Sequence, residues 1–130
     1  MTVLQQHGGT PTYSLLDQTT SIQLVTALSD DYARRIILAV IEKGKTVQEI
    51  SAEQSIPLST CYKRGKELLD RGLLFIQRIV LTNNGKKRFV YRSSLTSVQV
   101  SLDIHGITVK AERAATSAMP NERMEVMLRS

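Results

Sequence analysis

Between Pro57 and Asp70 the chain gathers side chains that hydrogen-bond or carry positive charge: Ser59, Thr60, Tyr62, Lys63, Arg64 and Lys66. Hydroxyls and ammonium groups of this kind, held on one rigid rod, match the donors and acceptors of base edges and the charge of phosphates. Helical spacing puts Cys61, Gly65, Leu68 and Leu69 on or near one face, and Ser59, Lys63, Lys66 and Asp70 on the other. Thr60, Tyr62 and Arg64 lie at the flanks. Ser59, Thr60, Tyr62 and Lys63, in the N-terminal half, are placed to reach bases, while Arg64 and Lys66 are long enough for phosphate oxygens. Gly65 costs a helix interior roughly 0.8–1 kcal/mol relative to Ala, so an inward glycine is expected to let another backbone come close. The mutual repulsion of the cations is relieved if they face phosphates.

A second group follows. Residues 73–95 hold Arg78, Lys86, Lys87, Arg88 and Arg92 with no acidic residue, which equals the net charge of +5 of all 130 residues. A localised basic strip points to a polyanionic partner more strongly than a diffuse excess does. Nothing in the sequence assembles a catalytic constellation. There is no Gly-rich phosphate loop, no His beside a nucleophile and no framed carboxylate pair, so the chain reads as a non-enzyme. His7 and His105 are far from the lone Cys61, which argues against a metal site. No cofactor is expected. Cys61 reads as a small buried hydrophobe and His105 as a turn residue.

The single cysteine rules out an internal disulfide and suggests a reducing compartment. No run approaches the ~18 apolar residues of a membrane span, and the start MTVLQQHGGTPTYS does not read as a secretory signal. The protein is therefore expected to be cytoplasmic, with no membrane partner.

The elements that position these groups can be traced along the chain. Residues 1–20 read as a flexible tail. Thr20 and Gln23 have capping-box spacing ahead of a first helix at about 21–28. Ser29 is expected to cap a second helix, with Ile36, Ile37, Val40 and Ile41 as its apolar stripe, Lys43 in its last turn and Gly44 as its stop. Thr46 and Glu49 form another capping box for a short helix to about Gln54. Residues 55–58 break the chain, and the helix of about 59–70 ends at Gly72. The hydrophobic period then changes from 3.6 to 2. LLFIQRIVL and KKRFVYRS read as two strands around TNNG, with Asn-Gly as a tight turn. A second hairpin covers 96–112, with His105-Gly106 as its turn and Ile104 opposite Ile107. Residues 113–130 read as a tail or short helix, in which Met124, Met127 and Leu128 form a possible dimer contact. The fold class is α+β, mostly α: a winged helix-turn-helix domain at 21–95 with a basic β-hairpin wing and an additional C-terminal β-hairpin.

The stretch ALSDDYARRIILAVIEKGKTVQEISAEQSIPLSTCYKRGKELLDRGLL, with GKKRFVYRSS after it, resembles the winged helix-turn-helix regulators of the ArsR type, including short archaeal members. The resemblance covers roughly residues 22–95. It implies a homodimeric, sequence-specific regulator of transcription on double-stranded DNA. Ser59, Thr60, Tyr62 and Lys63 then read bases, and Arg64, Lys66, Arg78, Lys86, Lys87 and Arg88 hold the backbone. Gly65 stands where many relatives carry a bulky apolar residue. The clustered cysteines of metal-sensing members are absent, so no metal is expected. The rival is a winged-helix module that docks on protein within a transcription or nucleoprotein complex. Aromatic side chains are too sparse, at 5%, to suggest RNA-stacking platforms.

Overall fold

The computed structural model describes residues 12–15 and 18–114. Within them the order is β1 (Thr12–Leu15), α1 (Gln18–Ser29), α2 (Asp31–Ala39), β2 (Lys45–Thr46), α3 (Val47–Gln54), α4 (Leu58–Asp70), β3 (Leu74–Leu81), β4 (Lys87–Ser93), β5 (Leu95–Asp103) and β6 (Gly106–Arg113). The chain is α+β. Helix and strand are nearly balanced rather than mostly helical, because α2 stops at Ala39 and because β1 and β2 join sheets through long-range pairing that leaves little trace in local sequence. Two antiparallel sheets form, in the orders β1-β6-β5 and β2-β4-β3.

α1 begins at Gln18, so Thr20 and Gln23 lie inside it rather than at its cap. Ser29 ends α1, its hydroxyl donating back to Val25 O and Thr26 O. The cap of α2 is Asp30, whose carboxylate accepts from Ala33 N at 2.8 Å. α2 stops at Ala39, well before Lys43 and Gly44. Its end is taken over by β4: Ser93 N donates to Val40 O at 3.0 Å and Arg92 Nε donates to Ile41 O at 3.2 Å. Those bonds satisfy carbonyls that a longer helix would have used itself.

Gly44 serves close approach instead. A Cβ built there would crowd the Gln77 side chain and lie 2.7 Å from Val90 Cγ1. The Thr46–Glu49 capping box is present in both directions. α3 ends at Ser55, the one described non-glycine residue with positive φ (55°). Ile56 and Pro57 then lead into α4, with Ile56 buried and Ser51 Oγ donating to Ile56 O at 2.6 Å. α4 ends on Gly72 (φ +77°), where Gly72 N and Leu73 N donate to Leu69 O and Leu68 O.

The first hairpin turns through three residues, not two. Thr82 N donates to Lys86 O at 2.8 Å, Gly85 N donates to Thr82 O at 2.9 Å, and Gly85 takes φ +80°. This is a three-residue loop ending in a left-handed glycine, so Asn84 needs no positive φ. In the second hairpin Leu102 pairs with Ile107 and Asp103 with Gly106, leaving Ile104 and His105 at the turn. The pairing is two positions away from the expected Ile104–Ile107 register. A shift of two preserves the face, so Val98, Val100 and Leu102 still lie beside Ile107, Val109 and Ala111.

Strand β1 pairs with β6 inside the stretch expected to be a loose tail, and Arg113 belongs to β6. The possible dimer contact at Met124, Met127 and Leu128 lies outside the described residues. The main core joins α2, α3, α4 and the β3–β4 sheet around Ile36, Ile50, Leu68, Leu74 and Ile76. A second core lies between α1 and the β5–β6 hairpin: Leu24, Leu95, Val109 and Ala111. Leu28 and Leu73 pack against both. Ser94 ties the sheets together, its N–H donating to Leu73 O and its carbonyl accepting from Ala114 N.

Candidate nucleic-acid interface

α4 is anchored by a narrow stripe, with Cys61, Gly65 and Leu68 buried. The opposite stripe is open: Leu58, Ser59, Tyr62, Lys63 and Lys66 are exposed, and Thr60 is half-buried at the edge. Pro57 caps α4 without any side-chain hydrogen bond, so the first N–H groups are left for an outside acceptor. Tyr62 is 49% exposed, and its hydroxyl accepts from Gln48 Nε2 of α3 at 2.6 Å. Gln48 therefore joins this surface, as does the apolar Leu58. Neither stands out in the sequence, although TVQEIS puts Gln48 beside, not within, the apolar pair Val47 and Ile50.

The basic residues separate into two classes. Arg64 is half-buried at the flank of the stripe, its Nε 3.2 Å from Asp30 Oδ2 and its Nη1 3.3 Å from Glu67 Oε1. It fastens α4 to the capped end of α2. Lys66 is exposed and lies 3.5 Å from Asp70 in an i,i+4 pair, which such exposure makes weak. Arg34 and Arg35 pair with Asp31, and Lys45 with Glu53. Arg35 also donates to Gln54 O, holding α2 against the end of α3. By contrast Lys63, Lys86, Lys87 and Arg88 are exposed and make no ion pair among the described residues.

The β3–β4 hairpin carries most of those free cations. Leu81 pairs with Lys87 and Val80 with Arg88. Neighbouring residues of a strand point to opposite faces, so Lys87 and Arg88 flank the hairpin on both sides while Lys86 occupies the loop. The register shift between Ile76 and Arg78 leaves Gln77 as an extra residue in β3. Beyond it Arg78 is exposed, its guanidinium touching Gln77 Oε1 at 3.3 Å. Arg92, by contrast, is held at the end of α2.

No protein-family model matches this chain, and no curated protein matches it.

Beneath the stripe, Cys61 is fully buried, and its thiol donates to Val47 O at 3.7 Å. Burial raises its pKa above the ordinary thiol value, so the neutral, unreactive form prevails near neutrality. Tyr91 is also raised, by burial first and then by the neighbouring acidic groups Tyr62 and Cys61. Among the described residues no three His, Cys, Asp or Glu side chains stand close enough to hold a metal ion. No helix among them is long and apolar enough to cross a membrane.

Proposed function

We propose that the chain is a sequence-specific regulator of transcription that binds double-stranded DNA as a homodimer, with no catalytic activity. In this reading the domain is a winged helix-turn-helix of the ArsR type. α3, the Ser55–Pro57 link and α4 form the helix-turn-helix, and the β3–β4 hairpin is the wing. α4 enters the major groove, where Ser59, Thr60, Tyr62 and Lys63 read base edges. The wing contacts the sugar-phosphate backbone through Lys86, Lys87 and Arg88, with Arg78 nearer its base.

The observation that carries this reading is the division of the cations. The chain neutralises arginines and lysines on α2, β2 and the inner flank of α4 with its own carboxylates. Among the described residues it leaves Lys63 and the three cations of the wing tip without such partners, as it does Lys43, Arg71, Arg78, Lys110 and Arg113, and only at the wing tip do three of them stand in consecutive positions. Unpaired cations on a protruding hairpin and an open helix stripe suit a ligand that brings its own negative charge. Gln48 steadies Tyr62 at the groove, and Leu58 adds a surface suited to a thymine methyl group.

Leu81, 69% exposed beside Lys87, favours the rival reading of a protein-docking wing. Selection of bound sequences from a random duplex pool separates the two. The DNA reading expects enrichment of a short motif repeated with two-fold symmetry. Failure to retain any duplex in dilute salt would sink it in favour of the docking module.

A further inference from the structure

β5 is the edge strand of its sheet, and nothing among the described residues pairs with its outer side. Natural proteins guard such edges with charge, proline or short length. β5 has nine residues, and from Leu95 to Leu102 it contains no charged residue, no proline and no glycine. Its apolar residues are open as well: Val100 is 51% exposed, Leu102 77% and Ile104, at the adjoining turn, 94%. α1 covers only the root of the hairpin, where Val109 and Ala111 are buried and Val98 and Ile107 are partly covered.

The backbone is open in the same places. Asp103 and Gly106 close the two-residue turn, so they form a hydrogen-bonded pair, and the alternation of an antiparallel ladder directs residues 99, 101 and 103 toward β6. The N–H and C=O groups of Val98, Val100 and Leu102 therefore point away from the sheet. An unpaired ladder and an uncovered apolar row coincide on one strand.

We infer that the open edge of β5 is the homodimer contact, pairing antiparallel with β5 of a second copy about a two-fold axis at Val100. Three features select a second copy as the occupant. The strand is self-complementary, because this register sets Val98 opposite Leu102 of its mate, Val100 opposite Val100, and Leu102 opposite Val98. It also leaves no like charges opposed, since Asp103 meets Ser97. Finally, the charge of the molecule is concentrated on the other sheet, so two copies repel least where they meet through an uncharged strand. The two-fold arrangement is isologous and closes on itself, which prevents an open fibre. The chain's own residues 115–130 suit the edge less well, because they include Pro120, Glu122, Arg123, Glu125 and Arg129. This contact extends the DNA reading by giving its dimer an interface. It is measured without DNA, so either can fail alone.

The test uses the full chain. Sedimentation velocity at micromolar concentration should show a dimer. Leu102→Lys puts a charge on the edge at a largely exposed site and should raise the dimer dissociation constant by at least about tenfold, with the circular dichroism spectrum and melting temperature of the fold kept. Val100→Cys should form an intermolecular disulfide on mild oxidation. Cα atoms of a hydrogen-bonded antiparallel pair are about 5.5 Å apart, within disulfide reach, and the native Cys61 is too buried to compete. Ile104→Cys, opposite Thr96 in this register, should not cross-link to itself. A monomeric wild-type protein, as expected if residues 115–130 cover the strand, would overturn the inference. So would a dimer that Leu102→Lys leaves intact and Val100→Cys fails to cross-link.

Discussion

At Gly44 the backbone runs so close to β3 and β4 that a methyl group would press on Val90, a buried residue with nowhere to move. At Gly65 the same methyl group would meet Val47 Cγ2 at 4.0 Å, an ordinary contact. Gly65 is buried as expected, but not because a neighbour needs the space. The two glycines should therefore respond oppositely to one substitution. Gly65→Ala fills available room and gains helix propensity, so it should stabilise the protein by about 0.5–1 kcal/mol. Gly44→Ala forces an overpacked contact and should destabilise it by about 1–3 kcal/mol. Urea unfolding of both variants checks the pair. A destabilised Gly65→Ala would mean that the helix needs the glycine for another reason.

At the scale of elements, signals confined to a few residues were legible in the sequence. The Thr46–Glu49 box, the Gly72 stop, the extent of α4 and the alternation of both hairpins needed only neighbouring residues. What was not legible depends on distant partners. α2 ends where Ser93 and Arg92 claim the carbonyls of Val40 and Ile41 just beyond it, and β1 and β2 exist only because β6 and β4 lie beside them. The candidate interface divides in the same way. Exposure of Ser59, Tyr62 and Lys63 follows from helical spacing, whereas the pairing of Arg64 with Asp30 requires two helices to meet. The two exposed elements should then act differently on DNA. Replacing Lys86, Lys87 and Arg88 by Ala should weaken binding to every duplex and reduce the slope of log K against log salt by up to about 0.9 for each phosphate no longer neutralised. Replacing Ser59 and Lys63 by Ala should mainly reduce discrimination between the selected site and random sequence. Titrations at several salt concentrations on both duplexes measure each effect. An unchanged slope in the hairpin variant would remove the wing from the contact.

For the whole molecule, the proposed DNA reading gives one exposed helix stripe few base contacts, so on that reading affinity and specificity depend on placing two copies together. Half-sites one helical turn apart are separated by about 34–36 Å, and linked binding raises avidity by about 10²–10⁴. The proposed β5 contact lies in the sheet that does not carry the basic hairpin, and none of its residues belongs to α4 or to the β3–β4 hairpin. Coupling between that seam and DNA can be read from one ratio, the affinity for a duplex with two half-sites over that for a duplex with one. Wild-type protein should favour the full site by about a hundredfold or more. Leu102→Lys should bring the ratio toward one, because its copies arrive independently. The added lysine contributes its own attraction to phosphates, and the half-site duplex measures that contribution directly, so it cancels in the ratio. Fluorescence anisotropy at fixed salt supplies both affinities. A ratio that survives Leu102→Lys means that the two copies are joined elsewhere or that DNA alone brings them together.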